Sequence, residues 1–238
     1  MCSSDLCYDG APEVTDVIRN VCAEKGVPLR CVDFARLTPL SDSLDGQVFL
    51  WDGEEYELAL LGEHQLHNAA TVLNVLDVLE ERGWNISQEA VKKGLKTVKW
   101  PARLEILGRD PLFILDGGHN PQCAEALARS LDKYLNGKRA VFLLGVLADK
   151  DYPAMMDMMI PYASKFICLT PDSPRALSAD DLAKFFREEK GAESIAAASF
   201  AQGISLAVSE AGKNGTVVCF GSLYLAGHIR SEYNKMHK

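Results

Sequence analysis

Between Pro12 and Lys25, apolar side chains fall at Val14, Val17, Ile18, Val21 and Cys22. That three- and four-residue spacing predicts a helix packed on one face, closed by Gly26 and Pro28. Leu29 to Val32 then predicts a short strand. Gln47 to Trp51 and Tyr56 to Leu61 run apolar on either side of Asp-Gly-Glu-Glu, which predicts a hairpin. The strongest periodicity lies in Glu63 to Arg82, where Leu66, Ala69, Ala70, Leu73, Leu76 and Leu79 form one stripe and Gly83 ends the helix. Ser87 is placed to cap a further helix to Lys96, with Gln88 and Glu89 in its first turn.

Trp100-Pro101 interrupts this pattern, because proline removes a backbone donor and pushes the preceding residue out of the helical region. A domain boundary is expected there, dividing residues 1–99 from 100–238. Beyond it, short apolar strands alternate with helices. The strands are 112–116, 140–146, 165–170 and 216–221; the helices are 122–135, 152–162, 178–189, 201–211 and one from about Leu223. Uninterrupted apolar strands in that alternation predict an α/β domain, Rossmann-like, with a mostly parallel sheet covered on both faces. Such sheets bind ligands beyond the carboxyl ends of their strands, and the polar clusters fall there: Asp116–Asn120, Gly145–Asp151, Thr170–Arg175 and Gly221-Ser222.

The 238 residues are 47% hydrophobic, enough for large cores. A net charge of -8 without a basic block argues against a nucleic-acid surface and favours small-molecule partners. No apolar run reaches the roughly 18 residues of a membrane span, and MCSSDLCYDG lacks the basic start and apolar stretch of a secretory leader. A cytoplasmic, membrane-free protein is expected. The seven cysteines are scattered without a C-x-x-C pair, so reduced thiols are expected rather than a disulfide framework or a zinc knuckle. Met1 to Leu6 (MCSSDL) match the translation of a common sequencing adapter. They are expected to be non-native, and the chain is expected to be the rear of a longer protein.

The segment ILDGGHNP (114–121) carries the richest chemistry. Its glycines permit positive φ and close approach of a ligand. Asp116 can accept two hydroxyl protons, and His119 is a titratable donor. Pro121 suits the first turn of a helix whose free N–H groups attract anions; a plainer alternative is a tight turn with Asn120 as helix cap, which leaves His119 without a reason. In GEHQLHNAA (62–70), His64 and His67 stand at the i, i+3 spacing that lets both face one metal, but no third ligand is near and helix-end histidines more often cap or pack. Asn68, followed by two alanines, can read a purine edge with its paired donor and acceptor. Arg103 in WPARLE (100–105) can clamp phosphate at the boundary, or pair with Glu105 as a surface ion pair. The charges of LADKD (147–151) and PDSPRA (171–176) suit solvated turns. Ser222 in FGSLYL (220–225) leads into a helix start able to hold a carboxylate. No G-x-x-x-x-G-K-[ST] phosphate loop occurs in the 238 residues.

Taken in order, GEHQLHNAA, WPARLE, DGGHNP, GVLADKD, TPDSPRA and FGSLYL closely resemble the folylpolyglutamate synthase / dihydrofolate synthase family, a branch of the ATP-dependent Mur ligases. The resemblance spans residues 8–230 and corresponds to the rear of that family's chain. It implies that 1–99 are the trailing part of an α/β central ATPase domain and 100–238 the Rossmann-like C-terminal domain. It implies ATP and magnesium as cofactors, with the magnesium ligands, the phosphate loop and a carbamylated lysine outside this chain. The implied reaction phosphorylates the terminal carboxylate of a folate or of dihydropteroate, and the amine of L-glutamate attacks the acyl phosphate to form an amide. Matched motif by motif, Asn68 and Arg103 are the implied ATP contacts at adenine and phosphates, and Asp116 the ribose partner. His119 is the implied catalytic histidine, and Ser222 marks the glutamate site. ATP would lie in a cleft between domains with WPAR as hinge, the chain acting as a monomer and inactive by itself. The family usually has glycine at Ala102 and often alanine at Gly118. Rival readings are a Mur ligase acting on a UDP-linked sugar acid, favoured less by the Gln65, DGGHNP and GSLYL pattern, and a non-catalytic nucleotide- or amino-acid-binding module.

Overall fold

The computed structural model describes residues 5–7 and 12–237; the side chains of Asp5 and Leu6 are outside that description, as are residues 1–4 of the segment expected to be non-native. The chain divides into two compact units, one ending at Lys99 and one beginning at Trp100.

In the first unit, β1 (Asp5–Cys7) pairs in parallel with β2 (Leu29–Cys31) across α1 (Pro12–Lys25). A 3-10 turn, Phe34–Arg36, is capped by the Asp33 carboxylate, which accepts from the Ala35 N–H. An antiparallel meander follows: β3 (Leu37–Ser43), β4 (Gly46–Trp51) and β5 (Glu54–Leu58). The predicted hairpin is β4–β5. The strand β3 escapes prediction because LTPLSDS is polar, mostly exposed and interrupted by Pro39; it is an edge strand with a bulge between Pro39 and Ser41, where proline is tolerated. On β4, Gln47, Phe49 and Trp51 point inward in strict alternation. Helices α2 (Glu63–Glu81) and α3 (Gln88–Thr97) cover the meander. Their Leu66, Ala69, Ala70, Leu73 and Leu95 join Phe49, Trp51 and Leu58 in one core. Ser87 caps α3 by accepting from the Ala90 N–H.

Of the face expected of α1, Cys22 is buried and Ile18 half-buried, but the valines are not. Thr15 and Cys22 are its buried residues, whereas Val14, Val17 and Val21 are 55%, 63% and 41% exposed. The two-stranded β1–β2 sheet offers only a narrow surface, and the Thr15–Cys22 side of the helix takes it.

In the second unit the elements are β6 (Glu105–Arg109), β7 (Leu112–Leu115), α4 (Pro121–Leu135), β8 (Ala140–Leu144), α5 (Tyr152–Met159) and β9 (Ala163–Cys168). Then come α6 (Ala179–Lys184, prolonged by a π-helical turn Phe185–Glu189), β10 (Ser194–Ala196), α7 (Phe200–Ala211), β11 (Thr216–Phe220) and α8 (Leu223–Met236). The six strands lie in the order β10-β9-β8-β11-β7-β6, all parallel except β6, which runs against β7 with Glu105 opposite Leu115. All five residues of β8 are buried, as a parallel strand covered on both faces requires. On one face Phe113, Leu115, Val141, Leu143, Ile167, Val217 and Cys219 pack beneath α7 and α8; elsewhere Phe166 stacks on Phe186 with ring centroids 3.8 Å apart. Strands β6 and β10 are absent from the sequence prediction. EILGR contains a bulge between Ile106 and Gly108, and β10 is three half-buried residues at the sheet edge. Among the described residues no helix is long and apolar enough to cross a membrane.

Candidate functional site

The polar cluster of the second unit gathers around Asp116, one residue past β7. Its backbone N–H still donates to Cys219 O of β11 at 2.9 Å, so the carboxylate leaves the sheet from a fixed position. One oxygen, Oδ1, accepts from the Gly118 N–H at 2.7 Å; the other, Oδ2, accepts from the Leu104 N–H at 3.0 Å. Asp116 is 9% exposed and thus locks the Trp100–Leu104 segment against the strand end. Gly117 N–H adds a bond to Ala102 O at 2.9 Å. Within the locked segment Ala102 (φ 56) and Leu104 (φ 46) both adopt the left-handed conformation, which costs an L residue about 1–2 kcal/mol. A glycine at 102 would escape that cost.

Positive φ is not what the two glycines of DGGHNP supply, since neither has it. Their role is contact. A Cβ on Gly117 would stand 2.4 Å from Leu223 Cδ2; one on Gly118 would stand 2.6 Å from Phe220 Cε2, 2.8 Å from Cys123 Cβ and 2.9 Å from Asp116 Oδ1. Gly118 O accepts from the Gly221 N–H at 3.1 Å, stitching the ends of β7 and β11. Burial pushes the Cys219 thiol up, and the Asp116 carboxylate nearby pushes it further.

His119 is half-buried, and its Nδ1 lies 3.1 Å from Gly117 O. A carbonyl only accepts, so Nδ1 is the donor in this contact. Asn120 caps α4 through Oδ1, which accepts from the Cys123 N–H at 2.8 Å, and Pro121 is the first helical residue. The plainer alternative for this segment is therefore correct for Asn120, without accounting for His119. Arg103 does not pair with Glu105. That carboxylate accepts from Arg230 Nε at 2.8 Å and from the Ala102 N–H at 2.9 Å, while Arg103 Nη1 reaches only the Ala102 carbonyl at 3.3 Å. The Arg103 guanidinium thus has no carboxylate partner among the described residues. Ser222, 2% exposed, caps α8 by accepting from the Tyr224 N–H at 3.2 Å. The LADKD and PDSPRA loops pair with each other: Ala148 N–H donates to Arg175 O at 2.8 Å, and Arg175 Nη1 to Asp149 Oδ2 at 2.7 Å.

The first unit presents Asn68, exposed on α2, with Nδ2 donating to Gln65 Oε1 at 3.1 Å. His67 packs against Phe34, ring centroids 4.5 Å apart. Among the described residues no group of three or more His, Cys, Asp or Glu side chains is arranged to hold a metal ion. Gln65, noted in the sequence only as part of the family pattern, is buried and hydrogen-bonded at the start of α2; Gln47, equally buried and bonded there, is not among the residues singled out from sequence, and the signal available was a glutamine at an otherwise apolar position.

Residues 102–223, just over half the chain, match the glutamate ligase domain of the Mur ligases, and the chain belongs to that family. Within the family its relatives are folate enzymes. The dihydrofolate synthase/folylpolyglutamate synthase of Bacillus subtilis is 31% identical over 230 residues, which is 92% of this chain and 52% of that protein. The folylpolyglutamate synthase of Lacticaseibacillus casei is 29% identical, covering 78% of this chain and 43% of its own. The structure of Mycobacterium tuberculosis folylpolyglutamate synthase complexed with ADP and AMPPCP superposes with a TM-score of 0.82 at 27% identity, over 96% of this chain and 55% of that one. The chain thus spans about half the length of these relatives.

Proposed function

We propose that this chain is the adenine-, ribose- and glutamate-binding part of an ATP-dependent ligase that joins L-glutamate to a folate or to dihydropteroate. The reaction transfers the γ-phosphoryl group of ATP to the acceptor's terminal carboxylate, releasing ADP. The glutamate amine then attacks the acyl carbon, phosphate leaves and an amide remains. The triphosphate cradle and magnesium belong to the part of the relatives that this chain does not span.

The observation that carries this reading is the locked segment at residues 102–104. Asp116 and Glu105 hold its backbone at a conformational cost, and the side chain so presented, Arg103, is an unpaired guanidinium suited to phosphate oxygens. Asp116, a carboxylate held by the Leu104 and Gly118 N–H groups at the strand end, is the residue type that accepts from ribose hydroxyls. His119 Nε2 is available to accept a proton from the attacking amine. Ser222 keeps its own O–H as a donor while it caps α8, whose N-terminus favours the glutamate carboxylate.

The test is glutamate-dependent ADP formation by the full-length ligase, with dihydropteroate and tetrahydrofolate compared as acceptors. At least one should support turnover, and Arg103→Ala should lower kcat/KM for ATP by about 10- to 100-fold, the loss of one charge-assisted contact. Turnover with neither acceptor, or an unchanged Arg103→Ala enzyme, overturns the assignment.

A further inference from the structure

Glu105, the first residue of β6, has both carboxylate oxygens occupied. Oε2 accepts from the Ala102 N–H at 2.9 Å, and Oε1 accepts at 2.8 Å from Nε of Arg230, two turns into α8. Arg103, two residues before Glu105, places its Nη1 on the Ala102 carbonyl at 3.3 Å. The guanidinium and the carboxylate thus bond opposite ends of one residue without pairing with each other. Their Cα atoms are at most about 7 Å apart, a span that two long side chains close by rotation about their own bonds. The backbone therefore does not keep them apart. Arg230 does, by taking the oxygen that the Ala102 N–H leaves over. The Arg230 side chain is 45% exposed and that of Glu105 21%, so this pair forms at a partly dry surface.

We propose that Arg230 is a positioning residue for nucleotide binding: by occupying Glu105 it keeps the Arg103 guanidinium out of an ion pair with its own neighbour and free for phosphate oxygens. The inference rests on Arg103 as the phosphate contact. A carboxylate with one oxygen on a backbone N–H has one oxygen left for a guanidinium. With Arg230 in place that guanidinium comes from α8; without it, Arg103 takes the position. Phosphate would then have to break the Arg103–Glu105 pair before binding. Affinity falls by the strength of that pair, about two- to fivefold for a partly exposed one.

The experiment measures KM for ATP and kcat in glutamate-dependent ADP formation by the full-length ligase. Arg230→Ala should raise KM for ATP about two- to fivefold with kcat within about twofold of wild type. Arg230→Lys, whose ammonium can still hold Glu105, should raise it less. Adding Glu105→Gln to Arg230→Ala should recover most of the loss, because glutamine still accepts from the Ala102 N–H but forms no ion pair with Arg103. Arg103→Ala/Arg230→Ala should be no worse than Arg103→Ala alone, since Arg230 acts only through Arg103. A general effect of charge near the triphosphate, or a merely structural contact, would persist in that background. If Arg230→Ala does not fold, Arg230→Gln replaces it with the same expected outcomes. An unchanged Arg103→Ala enzyme sinks the phosphate contact, and this inference with it. An impaired Arg103→Ala enzyme beside a wild-type KM in Arg230→Ala overturns the positioning role alone. So does a failure of Glu105→Gln to recover KM, or a further loss when Arg230→Ala is added to Arg103→Ala.

Discussion

Asp116→Ala removes the acceptor of two backbone N–H groups, those of Leu104 at 3.0 Å and Gly118 at 2.7 Å. Both donors lie in buried residues, so water does not fully replace the lost partner. A hydrogen bond to a charged group contributes about 1.5–3 kcal/mol, and the two share one carboxylate, so their losses do not simply add. Against this, the freed loop can relax Ala102 and Leu104 out of the left-handed region, recovering part of their roughly 1–2 kcal/mol each. The balance is a destabilisation of about 2–4 kcal/mol, a large share of a typical domain's stability but short of unfolding it. Urea denaturation followed by circular dichroism measures the total. Amide hydrogen exchange locates it: the Leu104 and Gly118 amides should exchange at least about 30-fold faster, the equivalent of 2 kcal/mol. Asp116→Asn, which keeps one acceptor oxygen, should lose about half as much. A stability change below about 1 kcal/mol, or unchanged exchange at Leu104, would refute the lock.

Five further outcomes follow from the same packing. Gly118→Ala must displace Phe220, Cys123 and the Asp116 carboxylate together, so a loss of about 1–3 kcal/mol is expected; a thermal midpoint equal to wild type would show that the strand end repacks freely. Ala102→Gly relieves a left-handed alanine at the entropic cost of glycine, with a net gain of up to about 1 kcal/mol; destabilisation in urea would contradict it. Ser222→Ala removes the α8 cap for about 1 kcal/mol, read in the same titration, and Ser222→Asp should restore it. Burial pushes the Cys168 thiol up to about 12 and the Cys219 thiol higher still, so neither should react with a thiol reagent at pH 8 until denaturant is added, whereas exposed Cys31 should react at once. In the unfolded chain both thiols ionise from about pH 9 while the folded chain keeps their protons, so stability should fall as pH rises above that point, by about 1.4 kcal/mol per pH unit per thiol.

The α/β class and the longer elements were legible because their periodicities are strong. The α2 stripe and the buried runs of β8, β9 and β11 leave few alternatives. What escaped was short, polar or at an edge. Strand β3 carries Pro39, β6 a bulge, and β10 only three residues; each exists because a neighbouring strand pairs with it, which no local pattern records. For α1 the valine spacing was real, but which side a helix buries depends on the surface it meets. At the site, residue types pointed to Asp116, His119 and Ser222, while their structural duties came from partners distant in sequence. Leu104 lies 12 residues from Asp116, and the glycines of 117–118 are explained by Leu223 and Phe220 rather than by a turn. Arg103 was the closest contest: its neighbour Glu105 was the obvious ion-pair partner, but the Ala102 N–H and Arg230, 125 residues from Glu105, take that carboxylate away.

The reversed direction of β6 decides where the polypeptide enters its second unit. Because Glu105 sits opposite Leu115, the chain arrives from Lys99 at the same rim as Asp116, His119 and Ser222. A β6 running with the other strands would have brought it in at the opposite rim, about 17 Å away for five residues. As built, tension arriving along the backbone at Lys99 reaches the Leu104–Asp116 bond within five residues, so the tether and this polar cluster share one end of the sheet.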